Sequence, residues 1–221
     1  MLSVGKATEK ILKRSPYIQE ALKEEIINIS SLARKIKPEL EEEMGKSIND
    51  SAIIMAIKRL PPNVFSLYTT KMRSVMSELG DLLVRSDLVD YTFENSDTLF
   101  EKQIEFMKSL RQREDIFYTV CHGVTETTII TSKKVEDELK TIFEQEKIKA
   151  VSQNLASVTL KLPVHNTKVS GIYYYLMKQL AWNGINVLEV VSTTNEFSII
   201  VSIEDVDQAF SVLMKVKQTE V

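Results

Sequence analysis

The order of strand-like and helix-like segments between residues 87 and 216 repeats once, with a spacing of about 70 residues. Each copy has a strand-like segment, an amphipathic helix, two more strand-like segments and a second helix. The first copy begins at "DLVDYTFE" and is followed by the short strand-like "IKAVSQ". The second begins at "ASVTLKLP" and ends at "EDVDQAFSVLMKV", so its final strand is missing or very short. The pattern predicts two consecutive βαββαβ units, each an antiparallel, ferredoxin-like sheet with two helices on one face.

The two copies can be placed in register although few side chains match. Leu110 and Leu180 are 70 positions apart, as are Phe117 and Val187. The repeat is therefore one of architecture. Apolar residues three or four positions apart define the predicted buried stripes of its four helices. These stripes are Phe100, Ile104 and Met107; Val135, Leu139 and Phe143; Ile172, Leu176 and Leu180; and Val206, Phe210 and Leu213. In the first strand we expect Leu88, Tyr91 and Phe93 on the buried side.

The segment before the repeats is typical of three short helices over residues 16–60, with a fourth expected over 67–80. Their predicted stripes are Ile18, Leu22 and Ile26; Leu32, Ile36 and Leu40; and Ile53, Ile54 and Ile57. The predicted fold class is therefore α+β. The predicted domains are a helical head over 1–80, a first unit over 81–154 and a second unit over 155–221.

Turn and cap residues support this division of the head. Ser30 and Ser31 are candidate caps of the second helix, which Pro38 should limit or bend. Gly45 is a candidate C-cap of that helix, and Asn49 or Asp50 is a candidate N-cap of the third.

Composition excludes several kinds of site. One cysteine, Cys121, allows neither an internal disulfide nor a cysteine-based zinc cage. The two histidines, His122 and His165, fall in loops of different repeats, and no spacing suggests a catalytic triad. We expect no cofactor, no metal and no catalytic residue, and hence not an enzyme.

Hydropathy and charge bear on location and partners. No apolar run approaches the roughly 20 residues of a membrane span, and the N-terminus lacks a signal-peptide core, so we expect a cytoplasmic protein without a membrane partner. Residues 1–75 carry 13 Lys and Arg and 9 Asp and Glu, a net charge of +4, within a chain of net charge −3. This asymmetry hints at an anionic partner for the head, although chance variation between solvated faces explains it equally well.

The second repeat contains several small elements in a characteristic order. Gly171 opens its first helix, Gly184, Ile185 and Asn186 form a "GIN" turn, and "TNEFS" begins at Thr194 in the following hairpin. In these elements the second repeat resembles an ACT domain of the aspartokinase type. The first repeat matches only in topology, because it has "RED" in place of "GIN" and lacks the glycine. Nothing resembles an aspartokinase catalytic domain, so the likeness concerns the regulatory part.

The resemblance implies a small amino acid bound between the first helix and the second strand of this unit. Its candidate ligand-binding residues are Val169, Ser170, Gly171, Ile172, Asn186, Val187 and Thr194. Free N–H groups at a helix start favour a carboxylate, and the missing Cβ of Gly171 allows close approach. Asn186 can both donate and accept hydrogen bonds. The alternative is that the glycines are caps and that Asn186 and the Thr/Ser cluster are turn residues.

The stretch "SSLARKIKPELEEEMGKSINDSAIIMAIKRL" resembles the helix-turn-helix core of a winged-helix DNA-binding domain. The likeness implies DNA contacts from Asn49, Ser51, Lys58 and Arg59, since Asn reads adenine edges and basic residues meet phosphate. The four carboxylates of "ELEEE" would repel DNA, and no wing is visible. A helical cap that packs on the sheets or builds a dimer is the alternative.

Together the resemblances predict an amino-acid-sensing regulator of amino-acid metabolism that acts on transcription. The alternative is a regulatory subunit or interaction module that binds an amino-acid biosynthetic enzyme such as an aspartokinase, without binding DNA. The predicted partners are a small amino acid and, for the first reading, DNA. A homodimer is expected because exposed sheet edges pair readily.

Overall fold

The structure is a computed structural model that describes residues 3–61, 72 and 74–218. The chain divides into two compact units, Met1–Lys71 and Met72–Val221. No helix in the part that is described has the length and apolar character that a membrane span requires.

The N-terminal unit is helical over the residues described. Its helices are α1 (Val4–Leu12), α2 (Pro16–Lys23), α3 (Ile29–Met44) and α4 (Asp50–Lys58). All three predicted stripes reach its core except Ile26, which lies after the end of α2 and is exposed. Helix α1, which was not predicted, buries Ala7, Ile11 and Leu12 in the same core.

Helix α3 begins earlier than predicted and continues past Pro38. Asn28, rather than Ser30 or Ser31, caps it, because the Asn28 Oδ1 accepts from the Ser31 N–H at 3.0 Å. Pro38 lies inside the helix, which continues to Met44. Gly45 ends it in the left-handed conformation, and Asn49 is the N-cap of α4, as predicted.

The second unit contains all the strands that are described. Its elements are β1 (Leu82–Glu94), α5 (Leu99–Ser109), β2 (Tyr118–His122), β3 (Glu126–Ser132), α6 (Glu136–Ile142), β4 (Ile148–Lys161), α7 (Ile172–Trp182), β5 (Glu189–Ser192), β6 (Glu196–Ser202) and α8 (Val206–Gln218). They form one antiparallel sheet in the order β2-β3-β1-β4-β6-β5. We call β1 to α6 the first half and β4 to α8 the second half.

The two halves share their long central strands. The segments "IKAVSQ" and "ASVTLKLP", predicted as separate strands, are one 14-residue strand, β4. Its first part pairs with the end of β1 and completes the sheet of the first half. The beginning of β1 pairs with the end of β4 and supplies the fourth strand that the second repeat lacks. The predicted boundary between residues 154 and 155 falls inside β4, and the division into 81–154 and 155–221 stays a prediction.

Matching irregularities interrupt the two long strands. Asp87 in β1 and Asn154 in β4 have φ values of 55° and 56°. The register shifts on either side of the central pair Leu88–Leu155. Each strand thus has a bulge at an equivalent place, which bends the strand and increases its local twist.

Helices α5 to α8 pack on one face of the sheet. Of the predicted stripes, those of α6 and α7 are buried throughout, and that of α8 buries Val206 and Leu213 with Phe210 partly covered. The stripe predicted for α5 is wrong, because Phe100, Ile104 and Met107 are exposed and the buried face consists of Leu99, Gln103 and Phe106.

A smaller apolar cluster lies on the opposite face of the sheet. Leu88, Ile130, Leu155 and Ile200 form it. Tyr91 faces the helices, so Leu88 and Tyr91 are both buried but on opposite faces.

The residues just before β1 belong to the second unit. Residues 74–77 are helical, and Met72, Val75, Met76 and Leu79 are buried in the core of the second half. The predicted head boundary at residue 80 therefore differs from the structure. Of the rest of the fourth helix predicted over 67–80, residues 78–80 are not helical, and residues 67–71 and 73 lie outside the described residues.

Candidate ligand-binding site

The start of α7 has no capping side chain. Gly171 is its N-cap, with φ of 89°, and makes no side-chain capping bond. Such a φ lies in the left-handed region that favours glycine. The first N–H groups of a helix have no partner within it, so the start of α7 can accept an anion. Beside it, Ser170 is exposed, Val169 is half-buried and Ile172 is buried.

Polar groups tie this helix start to the β5–β6 hairpin. The buried Asn166 donates from Nδ2 to the carbonyls of Pro163 and Thr194, both at 2.8 Å. The Tyr173 hydroxyl lies 2.7 Å from Ser192 Oγ, and the Tyr173 ring stacks on Phe197 with centroids 5.0 Å apart. The structure thus brings the backbone of Thr194 close to the loop before α7, while the Thr194 side chain is exposed.

Asn186 and Val187 lie beyond the other end of α7. The helix has 11 residues, which corresponds to about 16 Å at 1.5 Å per residue. It ends in a Schellman motif, in which Gly184 N–H donates to the Ala181 carbonyl and Ile185 N–H to the Leu180 carbonyl. The predicted ligand-binding residues therefore form two groups: Val169–Ile172 with Thr194 at one end, and Asn186 with Val187 at the other.

The start of α5, in the first half, is filled by the chain's own side chains. Ser96 Oγ accepts from the Leu99 N–H at 3.1 Å. Ser96 and Thr98 donate to the two carboxylate oxygens of Glu146, at 2.6 and 2.7 Å. Glu146 is only 8% exposed. Glu146 was not predicted at this site because it is 50 positions from Ser96, although Ser96 itself is recognisable as a cap residue.

Two further acidic groups lie on the sheet face that the helices leave open. Asp90 is 6% exposed, and burial, with a smaller contribution from the Glu189 carboxylate, raises its pKa to about 6. Burial also raises the pKa of Glu189, helped by Glu126. No signal in the sequence distinguishes Asp90 from an ordinary strand carboxylate. Within the described residues, no group of three or more His, Cys, Asp or Glu side chains could hold a metal ion.

The DNA-contact candidates all lie on or beside α4. Asn49, Ser51, Lys58 and Arg59 are exposed at its two ends. No strand that could form a wing lies within residues 3–61.

Most of the nearby "ELEEE" carboxylates have partners within the N-terminal unit. Glu39 pairs with Arg14 at 2.8 Å and Glu43 with Lys10. Glu41 accepts from the Ile48 N–H at 2.9 Å. These contacts give the acidic stretch a structural role in joining α1, α3 and the turn before α4.

The chain is similar to known proteins in structure but not detectably in sequence. No protein-family model matches the chain, and no curated protein matches it in sequence. Solved structures of aspartokinase regulatory regions do match. The regulatory subunit of aspartate kinase from Thermus thermophilus, in its ligand-free form, aligns with a TM-score of 0.51 at 13% identity, over 62% of this chain and 97% of that chain. This chain has an ACT-type fold.

Two further structures agree with this assignment. A structure of aspartokinase alpha and beta subunits aligns with a TM-score of 0.52 at 10% identity, over 64% of this chain and 99% of that chain. Aspartate kinase from Synechocystis aligns with a TM-score of 0.51 at 14% identity, over 64% of this chain and 27% of that chain. At such identities the likeness concerns the fold alone.

Proposed function

We propose that this protein is a ligand-responsive regulatory module that binds a small amino acid at the start of α7. The observation that carries the proposal is the start of this helix, which is capped by a glycine and has no side-chain capping bond, within an ACT-type fold. The two halves are then two ACT-like, ferredoxin-like units, of which the second senses the ligand.

The chemistry of the helix start suits an α-carboxylate. The N-terminal N–H groups and the helix dipole favour a negative charge there. The absence of a Cβ at Gly171 lets the ligand approach the backbone. Ser192 and Tyr173, already hydrogen-bonded to each other at 2.7 Å, supply hydroxyls beside the same helix start for the ligand's polar groups.

The non-DNA-binding alternative is the better supported reading. The structural neighbours are aspartokinase regulatory regions, and nothing in them supports a role in transcription. We therefore infer a module that acts on an enzyme of amino-acid metabolism, without catalytic activity of its own, as a cytoplasmic homodimer. A binding titration with duplex DNA at two salt concentrations separates the readings, because a DNA-binding regulator would bind and lose affinity with salt.

A thermal-shift screen of the twenty amino acids against the full chain tests the site. A ligand at 100 times its Kd stabilises the folded state by about 2.7 kcal/mol. We expect Gly171→Leu to abolish this shift. Gly184→Leu is the matched control, because Gly184 has a φ of 73° and open space around a Cβ. In both variants leucine occupies a left-handed backbone position, so both should lose a similar amount of stability. Only Gly171→Leu should also lose the shift that the ligand causes. A shift that persists in Gly171→Leu would place the ligand elsewhere.

Asn186 provides a second test. It is separated from Gly171 by the length of α7, so one ligand that contacts both residues must lie between two copies of the chain. If Asn186→Ala weakens ligand binding, the ligand should also increase the fraction of dimer in sedimentation experiments. If Asn186→Ala has no effect, the site consists of the helix start and the hairpin alone.

A further inference from the structure

Helix α5 exposes an apolar stripe along its solvent face. Phe100, Ile104 and Met107 are 67%, 39% and 56% exposed. Their spacing of four and three positions places them on one side of the helix. Single exposed apolar residues are ordinary, but a contiguous row of large ones marks an interaction surface.

The stripe continues into a groove between the end of α5 and the beginning of the edge strand β2. The groove has a volume of about 450 Å³. Its apolar lining consists of Ile104, Met107, Leu110, Ile116 and Tyr118.

Three cationic residues line the same groove: Lys108, Arg111 and Arg113. Arg113 pairs with Glu138 at 2.6 Å, whereas no carboxylate within the described residues forms an ion pair with Lys108 or Arg111. The groove therefore combines an apolar floor with a positive edge that is only partly neutralised.

The second half shows that the fold does not require these charges. With Leu110 and Leu180 in register, Lys178 corresponds to Lys108, but Ala181 and Asn183 stand in place of Arg111 and Arg113. Residues 179–188 contain no Lys or Arg at all. Arg111 and Arg113 are therefore present in the first half alone, whereas the position of Lys108 keeps a lysine in both halves.

We propose that this groove and stripe dock an amphipathic helix of a partner protein, with carboxylates along the edge of its apolar face. An apolar face of i, i+4, i+7 spacing packs well against the matching face of another helix. The exposed stripe and groove extend over the 11 residues of α5, so they fit about three turns of a partner helix. Carboxylates beside that face would meet Lys108 and Arg111, and this complementarity would set partner choice and orientation. This surface does not depend on amino-acid binding at α7.

A synthetic peptide tests the proposal on the full chain. The probe is a fluorescein-labelled helix of about four turns, with leucines at i, i+3, i+4 and i+7 positions and glutamates beside them, measured by anisotropy. The matched probe carries glutamine at each glutamate. We expect the glutamate peptide to bind about tenfold more tightly, which corresponds to about 1.4 kcal/mol. The difference should shrink in high salt.

Variants of the protein locate the binding surface. Ile104→Glu and the double variant Lys108→Glu/Arg111→Glu should each weaken binding by about tenfold or more. Because all three side chains are exposed, these variants should fold, which circular dichroism checks. Lys178→Glu is the matched charge reversal in the second half and should bind like wild type.

Three results would overturn the proposal. The first is that the glutamate and glutamine peptides bind with equal affinity, or that neither binds. The second is an equal loss with Lys178→Glu, which would indicate nonspecific charge attraction. The third is a dimer that Ile104→Glu dissociates while wild type binds no peptide, which would assign the groove to a second copy of the chain.

Discussion

The two halves of the sheet unit use the same frame but treat the start of their first helix differently. In the first half, Ser96, Thr98 and Glu146 fill the start of α5, and a carboxylate of the chain itself lies there. In the second half, Gly171 leaves the start of α7 without a side-chain cap. The difference teaches that one architecture can satisfy its helix start with its own side chains in one copy and leave it without a side-chain cap in the other.

The shared frame itself gives the largest expected effect. Phe106 in α5 and Leu176 in α7 are fully buried, so replacing either by alanine should lower the free energy of unfolding by about 2–5 kcal/mol. Because β1 and β4 pair along their length, each variant should increase hydrogen exchange in both β3 and β6. Exchange that rises only in the half carrying the substitution would show that the halves open independently.

Removing the internal carboxylate should convert the first half toward the second. Glu146→Ala leaves the hydroxyls of Ser96 and Thr98 without their acceptor, and should lower the free energy of unfolding by about 2–3 kcal/mol. Urea denaturation measures the loss. Glu146→Gln, which keeps one acceptor oxygen, should lose less. A stability unchanged by Glu146→Ala would mean that the start of α5 does not need this carboxylate.

On the sheet face that the helices leave open, replacing Asp90 should change the stability of the protein by an amount that depends on pH. The pKa of Asp90 is raised from 3.8 to about 6, so the folded protein binds this proton more tightly than the unfolded chain does. Protonation of Asp90 therefore increases the free energy of unfolding as the pH falls from 7 through 6 toward 3.8. Asp90→Asn should stabilise the protein at pH 7 by on the order of 2 kcal/mol. The gain should fade at pH 4.5, as measured by urea denaturation at both pH values. An equal effect at both pH values would contradict the assigned pKa.

Ser157 is the counterpart of Asp90 in the second half and should give the smallest effect. Both lie two residues after the paired Leu88 and Leu155. The Ser157 Oγ is buried and has no hydrogen-bond partner within the described residues. Ser157→Ala should be neutral or stabilise the protein by up to about 1 kcal/mol, since it removes an unsatisfied hydroxyl. If Ser157→Ala instead lowers the stability by more than about 1 kcal/mol in thermal denaturation, this hydroxyl has a hydrogen-bond partner.

Local periodicity was enough to predict α2 to α4, the alternation of strands and helices after residue 87, and most of the buried faces, but not α1. The stripes of α6 and α7 are correct, since every residue in them is buried. In α5 two apolar rows lie side by side, one containing Phe100 and Ile104 and the other Leu99 and Phe106. Periodicity alone cannot decide which of the two rows is buried. A row with the buried Gln103 in it looks like the wrong choice.

Long-range pairing was beyond the sequence signal. The continuity of β4 and the use of the beginning of β1 as the fourth strand of the second half depend on partners about 75 residues apart. The filling of the α5 start by Glu146 is of the same kind. Gly171 and Gly184 were recognisable, because left-handed positions favour one residue type. The order of the motif elements along the chain does not give distances in space, so it did not predict that a whole helix separates Gly171 from Asn186.

The most direct test of the ligand site is an NMR titration of the ¹⁵N-labelled chain with the amino acid that gives the largest thermal shift. The account predicts saturable changes in the amide resonances of Ile172, Tyr173 and Tyr174, at the glycine-capped start of α7. The amides of Leu99, Phe100 and Glu101, at the filled start of α5, should not change. Saturable changes at α5 with none at α7 would contradict it.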